Sequence, residues 1–211
     1  IRAIEMTIFS TGTRISALFA TSFVTLGVQV PFFPVLLAHR GLSETEIAVV
    51  VAAPIVLRLS TVSFLGAVAD RVGDRRKVLM AYAAAALVGC LTIGVAQGFL
   101  ALLAATVATT LFGNALLPVI DATATSAARR GEAIYGQMRL WGSLTFVAAN
   151  LAAGWAIGVQ GGGIVFPLLL FGHVLQFTFT PLAPREGRRD EAPSVRPSLW
   201  AGMRSLIADR R

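Results

Sequence analysis

Charge is scarce in this sequence. Only 14% of its 211 residues are Asp, Glu, Lys or Arg, against about 25% in an ordinary soluble domain. A single soluble domain could hide so few charges only by burying nearly every face of every helix. Cysteine is scarcer still. Cys90 stands alone in an apolar run, permits no intrachain disulfide and says nothing of redox compartment. His39 and His173 are the two histidines, too far apart in the chain to make a metal site by spacing. Phosphate-cradling loops are missing as well, since Gly161-Gly162-Gly163 reads as a turn. No metal and no cofactor is expected. Eleven acidic residues face eighteen basic ones, a net charge of +7. The basic residues lie between apolar runs and not on one soluble face, which argues against nucleic acid as a partner. Disordered, collagen-like and disulfide-scaffold classes drop out on the same composition.

What is there is apolar: 55% of the residues are hydrophobic, with a mean hydropathy of +0.73. A helix that spans a bilayer needs about 20 such residues. Runs of this kind lie at 17–37, 47–69, 78–96, 99–122, 140–159 and 164–182, interrupted only by Arg58 in the second and Asp121 in the fourth. The short turns at Gln97-Gly98 and at 160–163 force antiparallel neighbours. Alternation over about ten residues, the signature of a membrane barrel, is missing. The expected fold class is an all-α membrane protein of six transmembrane helices in contact with the lipid bilayer. Residues 1–16 precede the bundle of 17–182, and 183–211 follow it.

Basic residues set the orientation. With six spans, both termini share a side with the turns after spans two and four. Every Lys and Arg falls on that side except Arg40, on the opposite one, and Arg58, inside the membrane. Positive charge is retained in the cytoplasm, so both termini are expected there, in a plasma membrane or, in a bacterium, the inner membrane.

The turn between spans two and three carries the most specific pattern: Gly66, Asp70, Arg71, Gly73, Asp74, Arg75, Arg76 and Lys77. Asp70 falls at the C-terminal end of a helix, where the macrodipole is already negative. A carboxylate is unfavourable there unless basic side chains or another helix N-terminus face it. Gly73 is expected to end the helix, and Gly66, one turn before Asp70, to permit close backbone approach. Such a group suits a latch that mates with another element and releases it; a plain topology signal is the blander explanation.

This pattern resembles the signature loop of the major facilitator superfamily, although Asp74 stands where an arginine is usual. Asn114, Pro118 and Asp121, followed by Tyr135, Gly136, Arg139, Trp141, Gly142 and Ser143, are similar to the phenylpropionate and nucleoside proton-symporter branch, which is related to the lactose permeases. The resemblance implies twelve helices in two six-helix halves with a solute site between them. This chain corresponds to the N-terminal half. It begins with Ile1 and ends on Arg210-Arg211, and residues 183–197 read as a cytoplasmic linker towards a missing seventh helix. The partners implied are a small-molecule solute, protons and the missing C-terminal half. The function implied is proton-coupled symport of a small organic solute such as an aromatic acid, nucleoside or sugar. Proton-driven efflux is the alternative within the superfamily. A non-transporting six-helix module, or an inert fragment, is the alternative outside it.

Charged residues inside a membrane are functional candidates because each costs several kcal/mol unless paired or hydrated. Arg58 lies ~18 Å and Asp121 ~10 Å from the cytoplasmic ends of their helices, at 1.5 Å per residue. The difference of about 8 Å is within their combined reach, while Arg139, at the start of span five, competes for Asp121. A proton- or solute-carrying role for Asp121 stands beside a plain structural ion pair. Gln29 and Asn114 lie where a solute could be hydrogen-bonded, or where they tie helices together. Asn150, with Ala148, Ala149, Ala152, Ala153, Gly154 and Gly158, reads as a close-packing face. His173, near Phe171, Phe177 and Phe179, reads as a packed histidine, and Ser43 with Glu46 as a helix cap. An intramembrane serine protease built on Ser143 and His173 is rejected, because Leu144 and Thr145 break the required serine context. No enzyme is expected.

The charge sorting makes a direct prediction. In a Cys90→Ala background, Gly161→Cys should react with an impermeant thiol reagent added outside intact cells, and Asp74→Cys should not. Labelling at position 74 from outside would overturn the topology.

Overall fold

The computed structural model describes residues 10–184 apart from Gly73; the side chains at 59, 60, 62, 63, 67 and 70 also lie outside the description. Among the described residues there are helices and no strand. They are α1 (Thr11–His39), α2 (Glu44–Val72), α3 (Arg75–Val95), α4 (Gly98–Arg129), α5 (Tyr135–Gln160) and α6 (Val165–Phe179), the last flanked by 3-10 turns at Gly162–Ile164 and Thr180–Leu182. Five segments are long and apolar enough to cross a membrane: α1, α3, α4, α5, and α6 with its flanking turns. α2, some of whose side chains lie outside the description, is not among the five. The protein is a multi-pass membrane protein.

α1, α2 and α3 begin ahead of their apolar stretches, each at a polar cap, whereas α4 and α5 begin with no side-chain cap bond. The Ser10 side chain accepts from the N–H of Thr13 at α1, and Asp74 accepts from that of Lys77 at α3. At α2, the Glu46 carboxylate accepts from the backbone N–H and hydroxyl of Ser43, both at 2.8 Å, and the N–H of Glu46 returns a bond to Ser43 Oγ. This reciprocal cap is the one expected of that pair. The Ser43 backbone bond is the main reason the Glu46 carboxyl lies below its ordinary pKa. Gly131, at φ +73°, reverses the chain after α4, a conformation open to glycine and strained for a β-carbon.

Two apolar clusters hold the bundle. One contains Ile15, Phe19, Leu79, Leu116, Ile120 and Met138. The other contains Val28, Leu37, Val50, Cys90, Leu102 and Leu169. Along α1, α4 and α6 the residues between these clusters are polar yet buried: Ser22 and Thr25, Thr106 and Thr109, His173 and Gln176. Tyr82 fastens α3 to α2 by donating to the carbonyl of Leu65 at 2.7 Å.

Contact between helices depends on small residues. A β-carbon at Gly27 of α1 would lie 2.6 Å from the carbonyl oxygen of Phe146 and 3.0 Å from Cβ of Ala149, both on α5. One at Gly142 would strike the Phe23 ring. The expected packing face of α5 is therefore divided. Ala149 and Gly154 turn towards α1 and Ala153 is buried, whereas Ala148, Ala152 and Gly158 are exposed. A β-carbon at Gly66 would meet nothing within 4 Å among the described residues. A close backbone approach among them is at Gly27.

Gly27→Ala should destabilise the protein by about 1–3 kcal/mol, since its obstacle is backbone that cannot swing aside. Gly158→Ala, with open space around it, should leave stability unchanged or raise it slightly. Thermal unfolding in detergent checks both; a native-like midpoint for Gly27→Ala would contradict the packing.

Candidate functional site

Asp121 of α4 is the centre of a charged group shared by three helices. The short α4–α5 connection sets Asp121, about 12 Å before the end of α4, beside Arg139, about 6 Å into α5 at 1.5 Å per residue. Arg139 Nη1 lies 3.5 Å from Asp121 Oδ1, and the Tyr135 hydroxyl donates to the same oxygen at 2.9 Å. Tyr135 and Arg139 are four residues apart, hence on one face of α5. The Arg139 guanidinium lies over the rings of Phe19, at 5.2 Å, and Phe23, at 4.7 Å, both on α1. Tyr135 meets the Phe19 ring edge-on. A cation over aromatic faces is attracted by about 0.5–2 kcal/mol, so the guanidinium has anchors besides the carboxylate. Both members of the pair keep more than a third of their side-chain surface exposed, so an outside group can reach them.

Of the two partners weighed for Asp121, Arg139 is therefore the one beside it. Arg58 is exposed on α2. Tyr135, Phe19 and Phe23 carry no charge and did not stand out as site residues. The available signal was spacing: Phe19 and Phe23, like Tyr135 and Arg139, repeat at four.

Gln29 and Asn114 lie elsewhere, in the wall of a small cavity of about 20 Å³ that His173 and Gln176 also line. His173 is buried, as a packed histidine should be. A separate groove of about 520 Å³ lies between the start of α1 and the start of α5, walled by Ser10, Thr13, Ser16, Glu132, Gln137 and Trp141 among others. It has the size of an ordinary ligand pocket, but neither Asp121 nor Arg139 is part of its wall. Glu132 on its rim is held below the usual carboxylate range, chiefly by the hydrogen bond from Arg130.

The side chain of Asp70 and the whole of Gly73 lie outside the described residues. Around them, α2 ends at Val72 with Arg71 exposed in its last turn. Arg75 Nη1 donates to Ser126 Oγ at 3.1 Å, and Arg129 donates to the same hydroxyl at 3.2 Å, which joins the start of α3 to the end of α4. Arg76 is half-buried. Asp74, the residue that departs from the signature loop, acts here as the cap of α3 and pairs with Lys77 at 3.5 Å. The hydrogen bond from the Lys77 backbone is the main reason its carboxyl lies below the ordinary range. At the other end of the bundle, Arg40 donates to the carbonyls of Gly94 and Ala96, both at 3.3 Å. It thereby closes the C-terminal end of α3.

Residues 13–192 match the MFS_1 like family. The chain is also similar to a protein of Escherichia coli (strain K12) described as a probable 3-phenylpropionic acid transporter, with 30% identity over 194 residues. That match covers 87% of this chain and 49% of the relative, so the chain spans about half the length of the curated relative it matches. No solved structure matches it.

The Asp74 cap yields a prediction with a sign. A carboxyl whose pKa is lowered by folding contributes stability above its unfolded pKa and loses it as pH falls through the folded one. Asp74→Ala should cost about 1 kcal/mol at neutral pH, and native and variant unfolding midpoints should converge in acid below the usual carboxylate range. A gap that persists there would assign the loss to something other than the cap.

Proposed function

Since the chain belongs to the MFS_1 like family of major facilitator transporters, a family of transporters and not of enzymes, we propose that the whole protein is a proton-coupled importer of a small organic acid. The observation that carries this reading is the Asp121–Arg139–Tyr135 group against Phe19 and Phe23. An arginine beside aromatic rings complements an aromatic carboxylate, the class to which the relative's 3-phenylpropionic acid belongs. With Asp121 charged, the guanidinium is engaged by the protein's own carboxylate. A proton on Asp121 removes that competitor and frees Arg139 for the carboxylate of the solute. Loss of the proton on the inner side restores the pair and expels the solute. Proton and solute thus bind together, and neither is transported alone.

The remaining assignments rest on the same reading. Six helices cross the plasma membrane, with α2 as the span additional to the five apolar ones, and both ends are cytoplasmic; the side-sorting of Lys and Arg supports this. A second six-helix half completes the solute cavity. Asp70, Arg71, Arg75 and Arg76, with Gly66 and Gly73, form the latch against that half. Arg58, exposed on α2, is a second anchor for the solute, and Gln29 and Asn114 extend the polar lining between α1 and α4.

In the protein bearing both halves, Asp121→Asn keeps shape and hydrogen bonding but cannot titrate. Proton-driven accumulation should vanish while downhill exchange of solute survives. Arg139→Gln should abolish both, because it removes the anion's counter-charge. Accumulation against a gradient by Asp121→Asn would move the proton to another residue.

A further inference from the structure

Between its two apolar clusters the bundle holds polar side chains, and most of them have local partners. Thr21, Thr109 and Thr123 donate to carbonyls one turn back in their own helices, and Gln176 donates to Ser22 at 3.0 Å across the α1–α6 contact. Thr106 and His173 differ: Thr106 Oγ1 and His173 Nδ1 have no hydrogen-bond partner among the described residues. Of the two, His173, 3% exposed, lies in the wall of the small cavity. A buried polar atom left in that condition costs about 1–3 kcal/mol. The ring forms part of the wall of the 20 Å³ cavity, with Ser22, Thr25, Gln29, Asn114 and Gln176 among its other polar residues. One water needs at least about 10–15 Å³ and two to four polar partners. The cavity meets both conditions and is far too small for an organic solute.

We propose that this cavity is an ordered-water site, in which one water donates to Nδ1 of His173 and completes its bonds on the side-chain amides of Gln29 and Asn114. The arrangement leaves Nδ1 as the acceptor, so the neutral imidazole carries its proton on Nε2. It also joins α1, α4 and α6 through a shared ligand that reorients as the helices shift. A bridging water is enthalpically close to a direct hydrogen bond, so small displacements of α1 and α4 against α6 leave no group orphaned. The site stands independently of what the protein transports.

Radiolytic footprinting tests it, because hydroxyl radicals formed from bound water label the buried side chains beside it. In the protein reconstituted in lipid, His173 should be labelled, while Cys90, more reactive but 1% exposed and outside the cavity wall, should stay silent. Asn114 is in the wall and is one of the partners assigned to the water. Asn114→Leu removes that partner and should lower His173 labelling several-fold. A His173 as silent as Cys90, or labelled equally in both proteins, overturns the proposal. If Asn114→Leu fails to fold, magnetisation transfer from water to the His173 imidazole in solid-state NMR of the native protein decides. Transfer supports the water, and none refutes it.

Discussion

The approach of α1 to α5 at Gly27 is the contact on which the charged site depends. In lipid there is little hydrophobic drive between helices, so close backbone approach and interhelical hydrogen bonds must supply the association. Gly27 lets the carbonyl of Phe146 come to van der Waals distance. About two turns earlier on α1 the Thr145 hydroxyl donates to the carbonyl of Ala20 across the same seam, at 3.0 Å. That seam fixes the height of Phe19 and Phe23 against Arg139. A larger residue at Gly27 would move the aromatic faces away from the guanidinium without touching a charge.

The electrostatics of the site follow from that geometry. An ion pair as exposed as Asp121–Arg139 contributes at most about 1 kcal/mol in water, which is little for holding the bundle together. The pair is better suited to being exchanged. The aromatic rings keep the guanidinium in place when the carboxylate lets go, and Tyr135 supplies a donor that does not depend on Arg139. A structural pair needs no access from outside, whereas an exchangeable one has to remain reachable.

Much of this architecture is legible in the sequence, for physical reasons that also mark where legibility ends. Apolar runs near 20 residues reveal the helices, but hydropathy is blind to caps, so the extensions to Thr11 and Arg75 come from Ser10 and Asp74. Asp121 is conspicuous because a carboxylate interrupts an apolar run. Its neighbour is not, because depth along two helices says nothing of their azimuth. Depth alone left Arg58 and Arg139 as rivals, and the fourfold spacing of Tyr135 and Arg139 points to a shared face without naming what it faces. Glycines are harder still. Gly27 and Gly66 look alike in sequence, and only the position of a neighbouring backbone marks Gly27 as one that packs closely. His173 shows the same limit: burial follows from its apolar surroundings, whereas the unpartnered Nδ1 depends on three helices meeting.

The account turns on competition between Asp121 and the solute for Arg139. Calorimetric titration of the two-half protein with a small aromatic carboxylate, repeated in buffers of different ionisation enthalpy, measures the protons taken up on binding. Competition predicts net proton uptake by the native protein and its loss in Asp121→Asn, with solute still bound. Binding without proton uptake in the native protein, or undiminished uptake in the variant, would contradict it.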